Sequence, residues 1–286
     1  MPRKKKKKPE SSVKTKPAVQ PRGKERETVG KVIPYIFLAA ILIFITIIRI
    51  RLLSFPLERD EGEYAYFGQL ILDGISPYMM AFNLKLPGTY YSYAMIMALF
   101  GQTREGIHLG LLVFNLGSAI FLFLIGRKLF NNFVAMSACA VFAVLVVSPS
   151  LLGYAAHATH FVSFFMLAGI YVLLSAFDKH KWALYFLSGI LLGLSFIMKQ
   201  SGLFFTLFGG LMIILYYLVH KHPSLSRSFL NLVIYGAGSV IPLGVVFLVM
   251  ALSGVFEKFW FWTFIYPGVY GSRIPVSEIF DMLKIT

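Results

Sequence analysis

The chain reads as an all-α polytopic membrane protein whose first external loop carries amphipathic juxtamembrane helices. Three observations predict this. Of 286 residues, 57% are hydrophobic and only 14% charged, well outside the balance of soluble domains. The apolar residues gather in runs close to the twenty or so that a bilayer requires. Five of the thirteen acidic residues, Glu58, Asp60, Glu61, Glu63 and Asp73, fall in the single segment from Phe55 to Gly88. Bare carboxylates are costly in hydrocarbon, so such a cluster belongs in water or in a protein-lined cavity.

Residues 1–31 hold twelve Lys or Arg against three Glu. This stretch cannot bury a core and reads as a disordered basic tail. A lysine run ahead of a first span is attracted to anionic lipids and stays cytoplasmic. The tail accounts for most of the net charge of +14, and no aromatic-studded basic groove accompanies it, which argues against nucleic acid. No small-residue cleavage site follows the first apolar run, so a signal peptide explains the start poorly.

Val32 to Ile48 makes the first span. Arg49 and Arg51 follow it, either snorkelling to the interface or, for one of them, facing an anionic substrate group. The first external loop, 54–88, then opens. Asp60 is placed to cap a short helix, with Glu63 closing a capping box, although a direct chemical role for Asp60 competes with capping. Tyr64, Phe67 and Ile71 share one face of that helix at spacings of three and four. Turns are expected at Asp73-Gly74, Ser76-Pro77 and Lys85-Leu86-Pro87-Gly88.

The apolar run Thr89 to Phe100 has only twelve residues, and whether it crosses decides the topology. If it stays at the surface, the later crossings are Ile107–Ile125, Phe133–Leu152, Phe161–Phe177, Trp182–Met198, Leu203–Val219 and Leu230–Leu252. The basic groups Arg127 with Lys128, Lys179 with Lys181, and Lys221 with Arg227 then all fall inside, as the lysine and arginine bias of short loops demands. The run is therefore read as a juxtamembrane or re-entrant helix, giving a transmembrane module over 32–252 with seven crossings. The acidic loop, the segment around His157 and His160, the turn Lys199 to Gly202 and the segment after Gly254 then share the outer face. Residues 253–286 form an external or interfacial aromatic segment, with Trp260, Trp262, Tyr266 and Tyr270 as a girdle and the start of a further element at its end. The single Cys139 allows no intramolecular disulfide. There is no clear repeat, phosphate loop or zinc-finger spacing.

ERDEGEYAY (58–66), LILDGISPY (70–78), NLKLPGTYYSYA (83–94), IGRKLF (125–130) and LLGLSFIMKQSG (191–202) resemble the bacterial integral-membrane glycosyltransferases of the dolichyl-phosphate-mannose protein mannosyltransferase and aminoarabinose transferase type. The resemblance implies a GT-C fold, a bacterial inner-membrane location and a polyprenyl-phosphate-linked sugar donor. Position by position, it implies that Asp60 acts as base or organises a divalent cation, Mg or Mn, with Glu61 as its partner. Lys85 matches the lysine that holds the lipid-linked phosphate, with Leu86 where relatives carry a proline. Lys199-Gln200 matches a pair at the external end of a later span. A second external acid common in the family is replaced here by Thr159 or His160. Members of the family usually have more spans and often a further external domain. No organic cofactor is implied.

Transfer of a sugar from a phosphate needs a group to take the acceptor's proton and a cation for the leaving oxygen. Asp60 suits the first role; Asp60 and Glu61, adjacent on a helix, cannot both point the same way, so one faces the pocket while the other faces solvent, a cation or a cap. Lys85 suits the second, with Lys199 and Arg59 as further candidates, each also explicable as an interfacial cation. Tyr64, Tyr66 and Tyr90 could stack on sugar or line a lipid groove. His157 and His160, three apart, are expected to share a helix face, for metal binding, hydrogen bonding near the site or packing, and His160 is counted with Lys85, Lys199, Arg59 and Tyr64 as substrate-binding. The leading reading is an inverting glycosyltransferase acting on a lipid, polysaccharide or protein hydroxyl. A lipid-linked glycan polymerase or ligase is the enzymatic alternative, and a flippase or transporter the other. For a transporter one would expect charges deep in several spans and matched broken helices, whereas here the acids concentrate in one loop.

Overall fold

The computed structural model describes residues 22–220 and 225–271, with side chains over 32–219 and 226–269. All elements among the described residues are helical. In chain order they are α1 (Arg22–Arg51), α2 (Arg59–Leu72), α3 (Gly88–Phe100), α4 (Arg104–Leu129), α5 (Asn132–Leu145), α6 (Ala158–Lys179), α7 (Trp182–Met198), α8 (Gly202–His220) and α9 (Leu225–Leu252). α10 (Phe256–Trp260) then passes through a π-helical turn, Phe261–Ile265, into α11 (Tyr266–Gly271).

Among the described residues, five helices are long and apolar enough to cross a membrane: α1 from Val32, α4, α6, α8 to Val219, and α9 from Ser226. α5 and α7 are apolar but shorter, so two of the seven expected crossings rest on helices below the usual length. At 1.5 Å per residue, α7 is about 26 Å long and α5 about 21 Å, against a hydrocarbon core of about 30 Å. The expected span Phe133–Leu152 is corrected most. Its helix stops at Leu145, and a turn and a short 3₁₀ segment, Pro149–Leu151, follow. Pro149 disfavours a helical Ser148, and the freed carbonyls find a partner in Arg49. That side chain is 1% exposed and donates to the carbonyls of Val146, Gly153 and Tyr154 at 2.7, 2.6 and 2.9 Å. Arg49 therefore neither snorkels nor meets substrate: it closes the loop that leads into α6. Irregular backbone at such a place is tolerated where protein satisfies it.

At its start α1 also departs from expectation, because the helix runs back to Arg22 through ten residues assigned to the disordered tail. Once an apolar span has nucleated a helix, extending it costs little per residue. The rest of the tail and residues 272–286 lie outside the described residues.

α6, α7 and α9 form the tightest part of the bundle. A Cβ at Gly189 or Gly193 of α7 would stand 2.2 or 2.3 Å from the Tyr235 or Ser239 carbonyl oxygen of α9. Only glycine permits that approach, as in membrane bundles generally. Tyr185, Leu192 and Tyr235 fill the core behind it.

The connections at one end of this bundle meet in a polar cap. Thr89, at the start of α3, donates to the Met198 carbonyl at the end of α7. His108 in α4 reaches the Leu53 carbonyl beyond α1, and Tyr78 packs edge-on against Phe259 after α9. α3, 13 residues long, packs on α2 and on α4, and is not among the helices apolar and long enough to span. At the other end Lys128 pairs with Asp178, and Arg127 lies over the Tyr35 ring at 4.7 Å.

Candidate active site

α2 carries the acidic segment, and its N-terminus is built differently from the expected capping box. Glu58, not Asp60, is the N-cap: its side chain accepts from the Asp60 N–H at 2.7 Å. Glu61, not Glu63, closes the box by accepting from the Glu58 N–H at 2.9 Å. Shifting the cap by two residues frees Asp60 from the backbone and commits Glu61 to it.

Glu61 is fully buried and faces away from the cavity. Its carboxylate also accepts from the Ala156 N–H and meets Nε2 of His108 at 3.2 Å. Burial pushes this carboxyl up, but the bonds from His108, Ala156 and Glu58 outweigh it and hold the group below the ordinary carboxylate value. Tyr93 donates to the carbonyl of Ala156 at 2.7 Å. The segment before α6 is thereby fixed from α1, α2 and α3 together.

That anchoring delivers His157 to Asp60. Nδ1 of His157 lies 3.8 Å from Oδ2 of Asp60, and Nε2 lies 3.5 Å from Glu58. α6 begins only at Ala158, so His157 and His160 do not share a helix face. His160 points elsewhere, with Nδ1 3.1 Å from Oδ1 of Asn115. It lines a separate polar cavity of about 170 Å³ beside Asn115, Ser118 and Ser163. The histidine brought to the acidic cluster is thus the one left out of the expected substrate-binding set. The sequence offers no signal for it, since His160, not His157, stands immediately ahead of the apolar run from Phe161.

Asp60 lines a cavity of about 580 Å³ whose polar floor it forms with Arg59, Glu63, Asn83 and Lys85. Phe82, Trp262 and Tyr266 supply an aromatic wall. Nζ of Lys85 is 2.9 Å from Oδ2 of Asp60, with both side chains 20% exposed. Tyr64, buried beneath the pair, donates to the same oxygen at 3.3 Å, and the ammonium lies 4.6 Å from the centre of its ring. Burial and the neighbouring Asp60 push the Tyr64 hydroxyl up, so it remains a donor. For Asp60 itself burial acts upward, while the Lys85 hydrogen bond and charge, His157 and Tyr64 act downward and prevail. The guanidinium of Arg59, largely exposed, stands 3.5 Å from Oδ1.

Lys85 is presented by a rigid turn. Its N–H donates to Oδ1 of Asn83 at 3.0 Å, and its carbonyl accepts from the Tyr78 hydroxyl at 2.6 Å. Tyr78 adopts φ 69°, a left-handed conformation that costs a tyrosine about 1–3 kcal/mol and persists only where surroundings enforce it. Here the side chain is 2% exposed and packs against Phe67, Tyr90 and Phe259. Gln200 completes the clamp by donating to the Leu84 carbonyl. A Cβ at Gly88 would stand 2.5 Å from the Ile197 carbonyl oxygen, so the turn lies directly on the end of α7. Lys199, the expected cation of that pair, does not line the cavity, and its neighbour Gln200 makes the connection instead.

Among the described residues, no three His, Cys, Asp or Glu side chains are grouped to hold a metal ion. The Asp60 oxygen expected to bind one is paired with the Lys85 ammonium. The donor set does not fit a divalent cation.

The model of the dolichyl-phosphate-mannose-protein mannosyltransferase family matches residues 85–252, more than half of the chain. The chain belongs to this family. It is a multi-pass membrane glycosyltransferase of the GT-C type, a class that works with a lipid-linked sugar donor and an acceptor. The match starts at Lys85 and includes His157 and Lys199, whereas Asp60, Glu61 and Tyr64 precede it. Searches of the curated proteins and of the solved structures returned no match.

Proposed function

We propose that the chain is an inverting glycosyltransferase that moves a sugar from a polyprenyl-phosphate carrier to a hydroxyl of a lipid, polysaccharide or protein. The observation that carries this reading is the Asp60–Lys85 pair at 2.9 Å in the floor of the cavity. One member suits proton removal and the other suits phosphate, and both are held by packed elements rather than by a free loop.

The acceptor oxygen attacks the anomeric carbon and its proton passes to the Asp60 carboxylate. The bond from that carbon to the phosphate oxygen breaks, and its electron pair leaves with the phosphate. A single displacement inverts the anomeric centre. Lys85 gains most as charge develops on the departing oxygen, and the exposed Arg59 side chain suits a second phosphate contact. His157 and Tyr64 orient Asp60 so that one carboxylate oxygen stays directed at the acceptor. Glu61 keeps the base in place by fixing α2 against the loop that holds His157, and does not itself meet substrate.

The basic groups Arg127, Lys128, Lys179 and Lys181 all lie at the end of the bundle away from Asp60. This distribution favours a cytoplasmic N-terminus and an active site at the outer face of a bacterial inner membrane. The test is transfer of labelled sugar from a polyprenyl-phosphate donor in membranes, with and without chelator. Asp60→Asn is expected to lower the rate by about 10²–10⁴-fold at unchanged protein level. Activity near that of the unmodified protein would remove Asp60 as the base.

A further inference from the structure

The floor of the cavity contains a second polar group that the proton and phosphate chemistry leaves unused. Glu63 lies one turn beyond Asp60 on α2, about 4.5 Å further along the helix axis, and its Oε1 accepts from Nδ2 of Asn83. Asn83 is fixed at both ends of its amide, because its Oδ1 also accepts from the Lys85 N–H. The orientation of this amide is therefore determined, and the Glu63 carboxylate it steadies has further acceptor positions. Across the cavity, Phe82 stacks on Trp262 with ring centres 4.0 Å apart and planes at 10°. Trp262 is carried by the π-helical turn after α10 and contacts Tyr266 at 4.9 Å.

We infer that Glu63, Asn83 and Trp262 form the subsite that reads the ring of the donor sugar, and that it selects a neutral pyranose over an anionic one. This rests on the transfer reading above and deepens it. With the phosphate at Lys85 and the anomeric carbon beside Asp60, the far hydroxyls of a six-membered ring reach one helical turn along α2, to Glu63. A fixed carboxylate accepts from two neighbouring hydroxyls and repels a ring carboxylate. The flat aromatic wall suits the less polar face of the same ring. A volume near 580 Å³ accommodates a sugar with its phosphate and falls in the usual range of small-ligand sites.

The experiment compares a polyprenyl-phosphate hexose with the matching polyprenyl-phosphate hexuronate, using the full chain in membranes, for the unmodified protein, Glu63→Gln, Trp262→Leu and Trp262→Phe. Glu63→Gln is expected to raise KM for the neutral donor about 10-fold with kcat held within a few-fold, and to lift relative use of the hexuronate. Trp262→Leu is expected to raise KM for both donors, with Trp262→Phe recovering most of the loss. Unchanged KM values and an unchanged donor ratio in Glu63→Gln and Trp262→Leu, with the unmodified protein active, would overturn the subsite alone. Failure of the unmodified protein to transfer either sugar would overturn the transfer reading, and the subsite with it. If Glu63→Gln does not accumulate, the two Trp262 variants decide: recovery by phenylalanine supports a ring-reading wall, and kinetics unchanged in both remove it.

Discussion

The two faces of α2 put neighbouring carboxylates to opposite uses. On the inner face Glu61 is wholly buried and every partner it has is structural: two backbone N–H groups and His108. On the outer face Asp60 keeps a fifth of its side chain exposed and shares one oxygen with Lys85 and Tyr64. Adjacent positions on a helix point about 100° apart, so one residue can anchor the element while the next serves the cavity. The lesson is that burial with saturated bonding marks the anchor, and partial exposure beside a cation marks the reacting group.

The comparison is broken most severely from the inside. Glu61→Ala leaves the N–H groups of Glu58 and Ala156 and the ring of His108 without their shared acceptor, and is expected to cost about 3–5 kcal/mol. The measurement is thermal unfolding in detergent, with Asp60→Ala, which vacates an open cavity, falling much less. The sign with pH follows from the lowered Glu61 value. Its contribution is complete above the unfolded carboxylate range, about 4.3, and is lost as pH falls through the still lower folded value. Glu61→Gln should therefore unfold with a flatter pH dependence below that range. Equal losses from the alanine changes at positions 60 and 61 would erase the distinction.

How much of this was legible follows from the range of the interactions. The all-helical class and the short helix at residues 88–100 could be read because apolar runs and turn residues are local signals; Asp60 and Lys85 were singled out through the family resemblance, and only the fold shows them paired. The cap at Glu58 was misread by two residues, since Glu58, Asp60 and Glu61 all offer an oxygen and only packing chooses between them. Arg49 reaches carbonyls about a hundred residues away, and His108 reaches Glu61 across 47. No periodicity encodes such contacts. The approach of His157 rather than His160 to Asp60 follows from them, because the Arg49 and Glu61 bonds fix the segment before α6, whereas the early end of α5 had a local signal in Pro149.

On the outer face the comparison is sharpened by the pH dependence of transfer. Asp60 must be ionised to accept a proton, and its lowered value places the acid limb of kcat/KM below the ordinary carboxylate range. Lys85→Ala removes the strongest downward influences and leaves burial opposed by His157, Tyr64 and the exposed Arg59. The acid limb should move to higher pH, together with a fall in kcat from the lost phosphate contact. Lys85→Arg keeps a cation and should move the limb less. A profile that falls in rate without moving its acid limb would show that Lys85 acts on phosphate alone and does not set the ionisation of the base.

The smallest effect belongs to a residue that touches neither carboxylate. Gln200 donates to the Leu84 carbonyl and so ties the Lys85 turn to the end of α7. Its loss removes one partly buried hydrogen bond, worth about 1 kcal/mol, while the Tyr78 and Asn83 bonds to Lys85 remain. Gln200→Ala should therefore leave the fold and the acid limb in place and raise KM for the donor several-fold, because the ammonium is held less firmly where phosphate arrives. Gln200→Glu replaces the donor by a second acceptor facing a carbonyl and should be worse than alanine. If the two variants were equal, the hydrogen bond would have no part in placing Lys85, and the rigidity of the turn would rest on the contact of Gly88 with Ile197.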